Sequence, residues 1–488
     1  MRIFGPKIYF AISAMVLAAV AGHAQAQATG GDSVALAVQP LQLPVVTALY
    51  TGTPKKGSAD SQVEVLDNRV LAGAQDLSPN AAEPRRNYWQ PFFNLTASLD
   101  TNPLGVKDTF NPAPWTSFYG GVDLHSASHL SDLGVNYLGG GVLSKYGNED
   151  APIQHLAVSE RLSWRHATIS LFDQFGFFPQ AVSESYLPTD VGPLGNQELS
   201  LQPVFLPNQS IAGTVGQELT NSFVGELEVS QTSRSSLTFV GSYSVLRFFN
   251  AGLLNLNDSI FQAGWNHQLT RNNKVALLYR FTAFRFSNLY QSMDGHVVQL
   301  SFGRQLTGRL AFQLSAGPEL GLFGTPMNQG SSGVTASTIA ARNQLYWTVD
   351  SSMTYELGRT VLKLGYDHGV TDGAGYLGGA TTDQGYGSIG GQLSRTLMGE
   401  LTGGYAKNRG LMTLIGTAQQ PTNQIYQDWF GGVTISHALS RRATLFFSYQ
   451  MQRQSTDFAC AGTGCGTEFT RHLISLGLTG HSQARPIG

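Results

Sequence analysis

Residues 443–452 read Ala-Thr-Leu-Phe-Phe-Ser-Tyr-Gln-Met-Gln, and apolar and polar side chains alternate along this run. A period of two places successive side chains on opposite faces of a β-strand. One face carries Ala443, Leu445, Phe447, Tyr449 and Met451. The other face carries Thr444, Ser448, Gln450 and Gln452, with Phe446 as its apolar exception. The run therefore predicts a strand of about ten residues with one face in an apolar medium and the other in water.

The same alternation recurs between short polar turns, many of which have a Leu-Ser/Thr-Arg pattern. The turns are predicted at residues 128–131, 162–165, 231–235, 269–273, 306–308, 357–359, 393–395 and 439–442. Eight turns join sixteen strands, and a first strand near Phe92–Leu99 and a last near His472–Thr479 raise the predicted count to about 18. A count of 16 is the alternative. Longer connectors are predicted at the opposite end, at 101–114, 177–216, 322–341, 371–384, 410–424 and 456–467.

The composition excludes several other classes of protein. Charged residues are 13% of the 488, about half of the usual ~25%, whereas glycine (56 residues) and aromatic residues (10%) are abundant. A mean hydropathy of −0.08 is too low for a bundle of membrane helices. The near balance of 30 basic against 32 acidic residues disfavours a nucleic-acid-binding protein. The many aromatic residues disfavour a disordered chain.

The N-terminal residues 1–26 have the features of a Sec-type signal peptide. Arg2 and Lys7 precede a short apolar run, and Ala24-Gln25-Ala26 matches the small-residue pattern of a cleavage site. The apolar run is short for the alternative, a membrane-anchoring helix. Residues 27–87 lack the strand pattern and are predicted to form a flexible periplasmic segment. The strand region follows at 88–480, and residues 481–488 are predicted to form a C-terminal tail.

No catalytic residue, metal site or cofactor is predicted. The sequence lacks His-Glu-x-x-His, Gly-x-Ser-x-Gly and phosphate-binding loop patterns. Asp372 and Asp383 in a Gly-rich segment supply fewer than the six to eight oxygens that Ca²⁺ takes. Cys460 and Cys465 are predicted to form a disulfide, because exported proteins meet an oxidising compartment. Metal binding by these thiols, the alternative, needs further ligands that the sequence does not place nearby.

The predicted fold class is an all-β, antiparallel, up-and-down transmembrane barrel. Strands of about ten residues match the length that a tilted strand needs to cross a bilayer. They exceed the five or six residues that are usual in a soluble β-sandwich, the alternative fold. Aromatic residues near the predicted strand ends indicate girdles at the membrane interfaces, with a sugar-stacking surface as the alternative. These residues are Tyr88, Trp89, Trp115, Phe118, Tyr119, Trp164, Tyr346, Trp347, Tyr426 and Trp429.

Seven charged residues alternate with apolar ones and are predicted to face the lumen. The reason is that Arg or Lys on the lipid face costs about 2–4 kcal/mol at the bilayer midplane. The residues are Glu226, Glu228, Arg280, Asp350, Lys363, Asp367 and Glu400. Their acidic majority predicts a weak cation preference if some of them line a constriction. In the alternative interpretation they pair with one another and stiffen the wall.

The signal peptide, the turns, the ten-residue alternation and the aromatic strand ends together resemble Gram-negative outer-membrane β-barrels of porin-like size, over about residues 88–480. The resemblance implies a location in the bacterial outer membrane, with membrane lipid and the barrel-assembly machinery as partners. It also implies passive diffusion of small hydrophilic solutes or ions, with no enzymatic activity and no nucleic-acid partner. Whether the barrel forms a homo-oligomer stays open. The alternative function is a plugged structural barrel that contacts the cell surface through long loops, above all 177–216.

Overall fold

The computed structural model of the chain describes residues 87–103, 107, 110–144, 151–178, 217–249, 254–286, 291–324, 343–373, 377–411, 424–440, 442–457, 468–482 and 485–486. The regular structure in these residues is β-strand. No helix among them is long and apolar enough to cross a membrane. The signal peptide, the periplasmic segment, Cys460 and Cys465 lie outside the described residues, so these remain predictions.

Eighteen long strands follow one another along the chain, and a short one lies near its end. They are β1 (Tyr88–Asp100), β2 (Ala113–Ala127), β3 (Ser131–Ser144), β4 (Ala151–Ser163), β5 (Ala167–Phe178), β6 (Glu218–Thr232), β7 (Ser235–Phe248), β8 (Leu256–Thr270), β9 (Asn273–Phe286), β10 (Gln291–Thr307), β11 (Leu310–Phe323), β12 (Asn343–Leu357), β13 (Thr360–Thr371), β14 (Ala380–Gln392), β15 (Leu397–Gly410), β16 (Ile425–Ser440), β17 (Ala443–Thr456), β18 (Phe469–His481) and β19 (Arg485–Pro486).

The sheet closes on itself. Each of the eighteen long strands pairs antiparallel with the next, and β1 pairs with both β2 and β18. At this junction Leu95 lies opposite Phe118 of β2 and Leu478 of β18. Closure leaves no unpaired edge strand, and an even number of antiparallel strands is the rule for bacterial outer-membrane barrels. The predicted fold class and the predicted count of 18 strands are confirmed.

The connections alternate between short and long. All eight predicted tight turns join consecutive strands, and in one of them Gly358 adopts a φ of 67°, which residues with a Cβ rarely adopt. The six longer connectors predicted at the other end are also present. The sequence-based prediction missed three shorter connectors, at 145–150, 249–255 and 287–290. All three contain Leu or Tyr, as the strands do, so the apolar pattern does not mark where these strands end.

The outer face of the barrel is apolar. Its outward positions are occupied largely by Leu, Phe, Tyr, Trp and Val, many of which are exposed. Leu300, Leu345 and Trp347 each expose more than 60% of their surface. An apolar surface of this extent would drive association in water, whereas it is the surface that hydrocarbon requires of a spanning barrel. The outer face therefore fits a membrane.

Two outward positions on β5 and β6 depart from this pattern. Phe172 points inward and packs against a buried cluster that includes Val224, so the next residue, Asp173, points outward. Its Oδ1 accepts a hydrogen bond from Nδ2 of Asn221 at 3.0 Å. Asn221 shares the outer face, and the bond satisfies polar atoms that lipid cannot satisfy.

A buried ion pair joins the two strands that close the barrel. Arg471 of β18 contacts Oδ2 of Asp100 on β1 through Nε, at 2.7 Å, and through Nη2. Both side chains are almost fully buried, at 2% and 1% exposure. The other carboxylate oxygen, Oδ1, accepts a hydrogen bond from the backbone N–H of Asn102 at 2.9 Å. The carboxylate is therefore bonded on both sides, which a buried charge requires.

Part of the predicted C-terminal tail adds to the same junction. Arg485 and Pro486 form β19, which pairs antiparallel with Trp89 and Tyr88 at the start of β1. The Arg485 guanidinium lies 5.4 Å from the centre of the Trp89 ring, within the range of a cation–π contact. This short strand lengthens the pairing of the chain's end with β1.

Replacing Arg471 with Ala should destabilise the barrel strongly. The substitution leaves the Asp100 carboxylate buried without its cation, which typically costs about 3–5 kcal/mol. Urea unfolding in detergent micelles, followed by heat-dependent gel mobility, measures the change. Lys107→Ala is the matched control, because Lys107 Nζ contacts Glu468 at 2.6 Å but both side chains are exposed. We expect no measurable change for the control, and equal losses in both variants would contradict this prediction.

Candidate functional site in the barrel lumen

All seven charged residues predicted to face the lumen lie on the inner face of the barrel. On β6, Phe223 and Leu227 are exposed outside, and Glu226 and Glu228 alternate with them. The same relation to exposed outward neighbours holds for Arg280 on β9, Asp350 on β12, Lys363 and Asp367 on β13, and Glu400 on β15. Their role in selectivity stays a prediction.

The inner face carries more acidic residues than the sequence-based prediction found. In the described strands it holds thirteen acidic side chains: Asp100, Asp123, Asp132, Glu218, Glu226, Glu228, Asp258, Glu319, Asp350, Glu356, Asp367, Glu400 and Asp428. It holds five basic ones: Arg161, Lys274, Arg280, Lys363 and Arg471. Pro318 precedes one missed acid, Glu319, and interrupts the apolar alternation there, but the parity of each strand would have identified all the missed acids. The excess gives the enclosed lumen a negative potential.

The inner face has a covered wall and an open wall. We call the inner faces of β6–β10 the covered wall, because their side chains are almost all buried; Val240, Gln262 and Gln299 are each at 1–2% exposure. We call the inner faces of β12–β17 the open wall, because most of their side chains are partly exposed. The open wall is rich in small or polar residues, such as Ser352, Thr354, Gly365, Thr402, Gly432, Thr434 and Ser448. Water inside the barrel therefore contacts the open wall.

The connector between β13 and β14 lies against the covered wall. Its Leu377 is 1% exposed and belongs to an apolar cluster with Phe284 of β9 and Met293 of β10. A Cβ placed on Gly379, whose φ is 90°, would lie 3.2 Å from the sulfur of Met293. The glycine thus permits both the turn and the close approach. The described part of the connector therefore packs against inward side chains of β9 and β10.

On the open wall, three inward aromatic rings lie flat along the wall instead of projecting into the lumen. Each ring covers the glycine directly opposite it on the neighbouring strand, so that a Cβ on the glycine would overlap the ring. The pairs are Tyr386 with Gly365, Phe430 with Gly404, and Phe446 with Gly477. Aromatic cover of strand glycines in this way also helps to fix register. Phe446, the apolar exception in its strand, is explained by this packing.

The predicted aromatic girdle is only half correct. Trp89, Phe118, Trp164, Trp347 and Trp429 are exposed, as a girdle requires. The other five, Tyr88, Trp115, Tyr119, Tyr346 and Tyr426, lie at inward positions. Neighbouring residues in a strand face opposite sides, so pairs such as Phe118–Tyr119 and Tyr346–Trp347 are always divided. Tyr119 and Tyr426 are 2% exposed, so they offer no free ring face for a sugar to stack on.

No calcium site forms between the two acids of the Gly-rich segment. Asp372 is buried at the barrel mouth, whereas Asp383 lies on the outer face, with its Oδ1 2.6 Å from Nδ1 of His368 and 3.2 Å from the Tyr366 hydroxyl. In the part of the chain that the structure describes, no three His, Cys, Asp or Glu side chains converge on a metal position.

Comparison with known proteins finds structural neighbours and no sequence family. No protein-family model and no curated protein matches the chain. The fold is similar to Pseudomonas aeruginosa OccK2 (OpdF) in complex with glucuronate, with 10% identity over 81% of this chain and 98% of that one, at a TM-score of 0.42. It is also similar to Pseudomonas aeruginosa OpdK with vanillate, with 8% identity over 81% of this chain and 99% of that one, at a TM-score of 0.41. A third similar structure is Acinetobacter baumannii OccAB4, with 10% identity over 83% of this chain and 100% of that one, at a TM-score of 0.39. This is a distant likeness between barrels, and the function of this chain is argued below from its own residues.

Replacing Gly365 with Ala should push the Tyr386 ring off the wall. The overlap should lower single-channel conductance, and overpacking should destabilise the barrel by about 1–3 kcal/mol. Gly385→Ala is the matched control, because a Cβ there, on the outer face, meets nothing within 4 Å. Adding Tyr386→Ala to the Gly365 variant should restore conductance. A Gly365→Ala channel with unchanged conductance would show that the ring does not border the water path.

Proposed function

We propose that the protein is an outer-membrane channel through which small hydrophilic solutes or ions diffuse passively. The observation that carries this proposal is the open wall: partly exposed, small and polar side chains inside a closed barrel whose outside is apolar. A barrel of 18 strands is too wide for its own side chains to fill, and natural barrels of 16–18 strands enclose an aqueous channel. The open wall supplies the wetted surface that such a channel needs.

The proposed mechanism is selection by size and charge. The flat rings of Tyr386, Phe430 and Phe446 keep the open wall clear, whereas the connector carrying Leu377 narrows the mouth. A solute that passes the mouth meets polar groups along the whole wall and makes no lasting contact, as passive diffusion requires. No energy source and no bound cofactor is needed for this transport.

The outer membrane is the proposed location. Bacterial outer membranes hold barrels of this kind, with short turns on the periplasmic side and longer loops outside. The predicted signal peptide supports export, and the apolar outer face supports insertion into lipid.

The covered wall favours a second candidate function. The inner side chains of β6–β10 are buried. In a plugged barrel, the inner side chains of all the strands would be buried in this way. If the open wall were also covered in the membrane, the protein would be a structural barrel that acts through its extracellular loops. Single-channel recording distinguishes these two functions.

The full-length mature protein, refolded and checked by heat-dependent gel mobility, should give stable ohmic current steps in a planar bilayer. Swelling of proteoliposomes in neutral sugars of increasing size should show a size limit. Leu377→Asp should loosen the connector from the apolar cluster and raise both conductance and the size limit. The heat-denatured protein is the control for leakage. If folded wild-type protein passes no current and only the Leu377→Asp variant conducts, the protein is a plugged barrel and not an open channel.

A further inference from the structure

A ring of exposed arginines surrounds the end of the barrel that carries the tight turns. Seven of the eight tight turns contain an arginine, and β19 supplies another beside the junction of β1 and β18. We call these eight residues the basic collar: Arg165, Arg234, Arg271, Arg309, Arg359, Arg395, Arg442 and Arg485. Every member is exposed, and none of the tight turns contains an acidic residue. The collar therefore gives this end of the barrel a positive charge around its circumference.

Four of the turns share a hydrogen bond that positions the residue after the bend. A Ser or Thr hydroxyl at the end of the strand accepts a hydrogen bond from the backbone N–H two residues later. This N–H belongs to Arg234, Arg309 and Arg442 in three turns, at 3.1–3.2 Å, and to Asn272 in the fourth, at 3.3 Å. Such bonds fix the backbone of a turn, so the three arginines leave the barrel at equivalent positions.

Basic side chains at the two ends of the barrel differ in their partners. At the end with the longer connectors, Lys107 Nζ lies 2.6 Å from Glu468, and Arg285 Nη1 lies 2.6 Å from Asp294. In the part of the chain that the structure describes, no carboxylate lies within ion-pair distance of a collar arginine. The guanidinium groups of the collar are therefore available to an anion from outside the protein.

Exposed apolar side chains set the depth of the collar in the membrane. Seven of the turns begin with one, and each exposes between 46% and 64% of its surface: Leu130, Trp164, Leu269, Leu306, Leu357, Leu393 and Leu439. In six of these turns the arginine follows one to three residues later. Apolar side chains favour the hydrocarbon of a bilayer, whereas arginines near it extend to the polar boundary. This pairing places the collar at the level of the lipid headgroups.

The ring shape of the collar favours lipid over other anionic partners. An acidic protein or a cell-wall polymer approaches the barrel end from one direction, whereas lipid headgroups surround it on every side. Bacterial barrels place their short turns on the periplasmic side, where the outer membrane presents a leaflet of phospholipid. A guanidinium binds a phosphate through two parallel N–H···O bonds, so the headgroup phosphate matches the chemistry of the collar.

We propose that the basic collar binds anionic phospholipids of the periplasmic leaflet, of which phosphatidylglycerol is the simplest. In lipids without net charge, the headgroup carries its own cation beside the phosphate. An anionic headgroup lacks this cation, so its phosphate gains more from a guanidinium. The barrel thereby gathers anionic lipid around its periplasmic end. This inference rests on the proposed outer-membrane location, but it does not require an open lumen.

The first test measures which lipids the wild-type barrel retains at its surface. Refolded protein, checked by heat-dependent gel mobility, is placed in phosphatidylcholine bilayers that contain spin-labelled phosphatidylglycerol or spin-labelled phosphatidylcholine. The motionally restricted fraction of each label reports its association with the protein. Phosphatidylglycerol should associate about twofold or more strongly, and this preference should vanish at about 1 M salt, where the Debye length is about 3 Å. Equal association of the two labels at low salt would overturn the proposal.

The second test removes charge from two neighbouring turns. Arg359→Gln/Arg395→Gln should lower the excess association of phosphatidylglycerol by about a third, and Arg359→Lys/Arg395→Lys, which keeps the charge, should lose less. Arg247→Gln/Arg285→Gln is the matched control at outward positions of the other barrel end. Each of these two guanidinium groups already bonds to a side chain on the next strand, so we expect the control to keep the wild-type preference. Equal losses in the collar and control variants would show that the collar has no special role.

The outcomes separate this proposal from the proposed function, because neither test measures current. A conducting barrel without lipid preference would overturn the collar's role and leave the channel in place. A silent barrel that retains phosphatidylglycerol would support the collar and contradict the channel. If the wild-type protein shows no lipid preference and instead cosediments with purified peptidoglycan, the collar contacts the cell wall and the lipid proposal is wrong.

Discussion

The structure depends on one constraint: in hydrocarbon, every backbone N–H and C=O group needs a partner within the protein. A β-sheet meets this requirement only when its first and last strands pair, so the junction of β1 with β18 is the step that makes the other strand pairings useful. The protein strengthens this junction with the buried pair of Asp100 and Arg471 and extends it with β19. An ion pair of this kind is costly to form in isolation, but it is well placed where two strands distant in sequence must find one register.

Closure of the sheet also constrains which side chains can face the lumen. Side chains alternate between the two faces, so an apolar outside demands a second set of residues that faces inward. Eighteen strands enclose more space than these side chains fill. On the covered wall, buried polar side chains such as Gln262 and Gln299 lie beside an apolar cluster in which Leu377 from a connector joins Phe284 and Met293. On the open wall, the side chains are small or polar, and aromatic rings lie flat over glycines of the neighbouring strand. Both solutions occur in one barrel, and the difference between them leaves the water path on one side.

The parts of the fold that depend on local sequence were predictable, and those that depend on pairing across the sheet were not. The eight tight turns and the inward parity of Asp350 and Asp367 follow from residues next to one another in the chain. That these two carboxylates oppose each other depends on the register of β12 with β13, which no local pattern states. Phe446 is similar: its strand marks it as an exception, and only the position of Gly477 on β18 explains it. The division into covered and open walls depends on contacts between residues far apart in the chain, which alternation does not encode.

The positions of the basic residues decide the sign of the field inside the barrel. Arg471 is bound to Asp100 at the junction, so its charge serves closure and is not available to a solute. Arg280 interacts electrostatically with Asp258 and Glu319, and Arg161 interacts with Glu226 near the covered wall. Of the five inward basic residues in the described strands, only Lys363 stands on the open wall, which also carries Asp350, Asp367 and Glu400. A wall of low dielectric concentrates the field of such groups in the enclosed water. Because the other inward bases lie elsewhere, the open wall carries more acidic residues than basic ones.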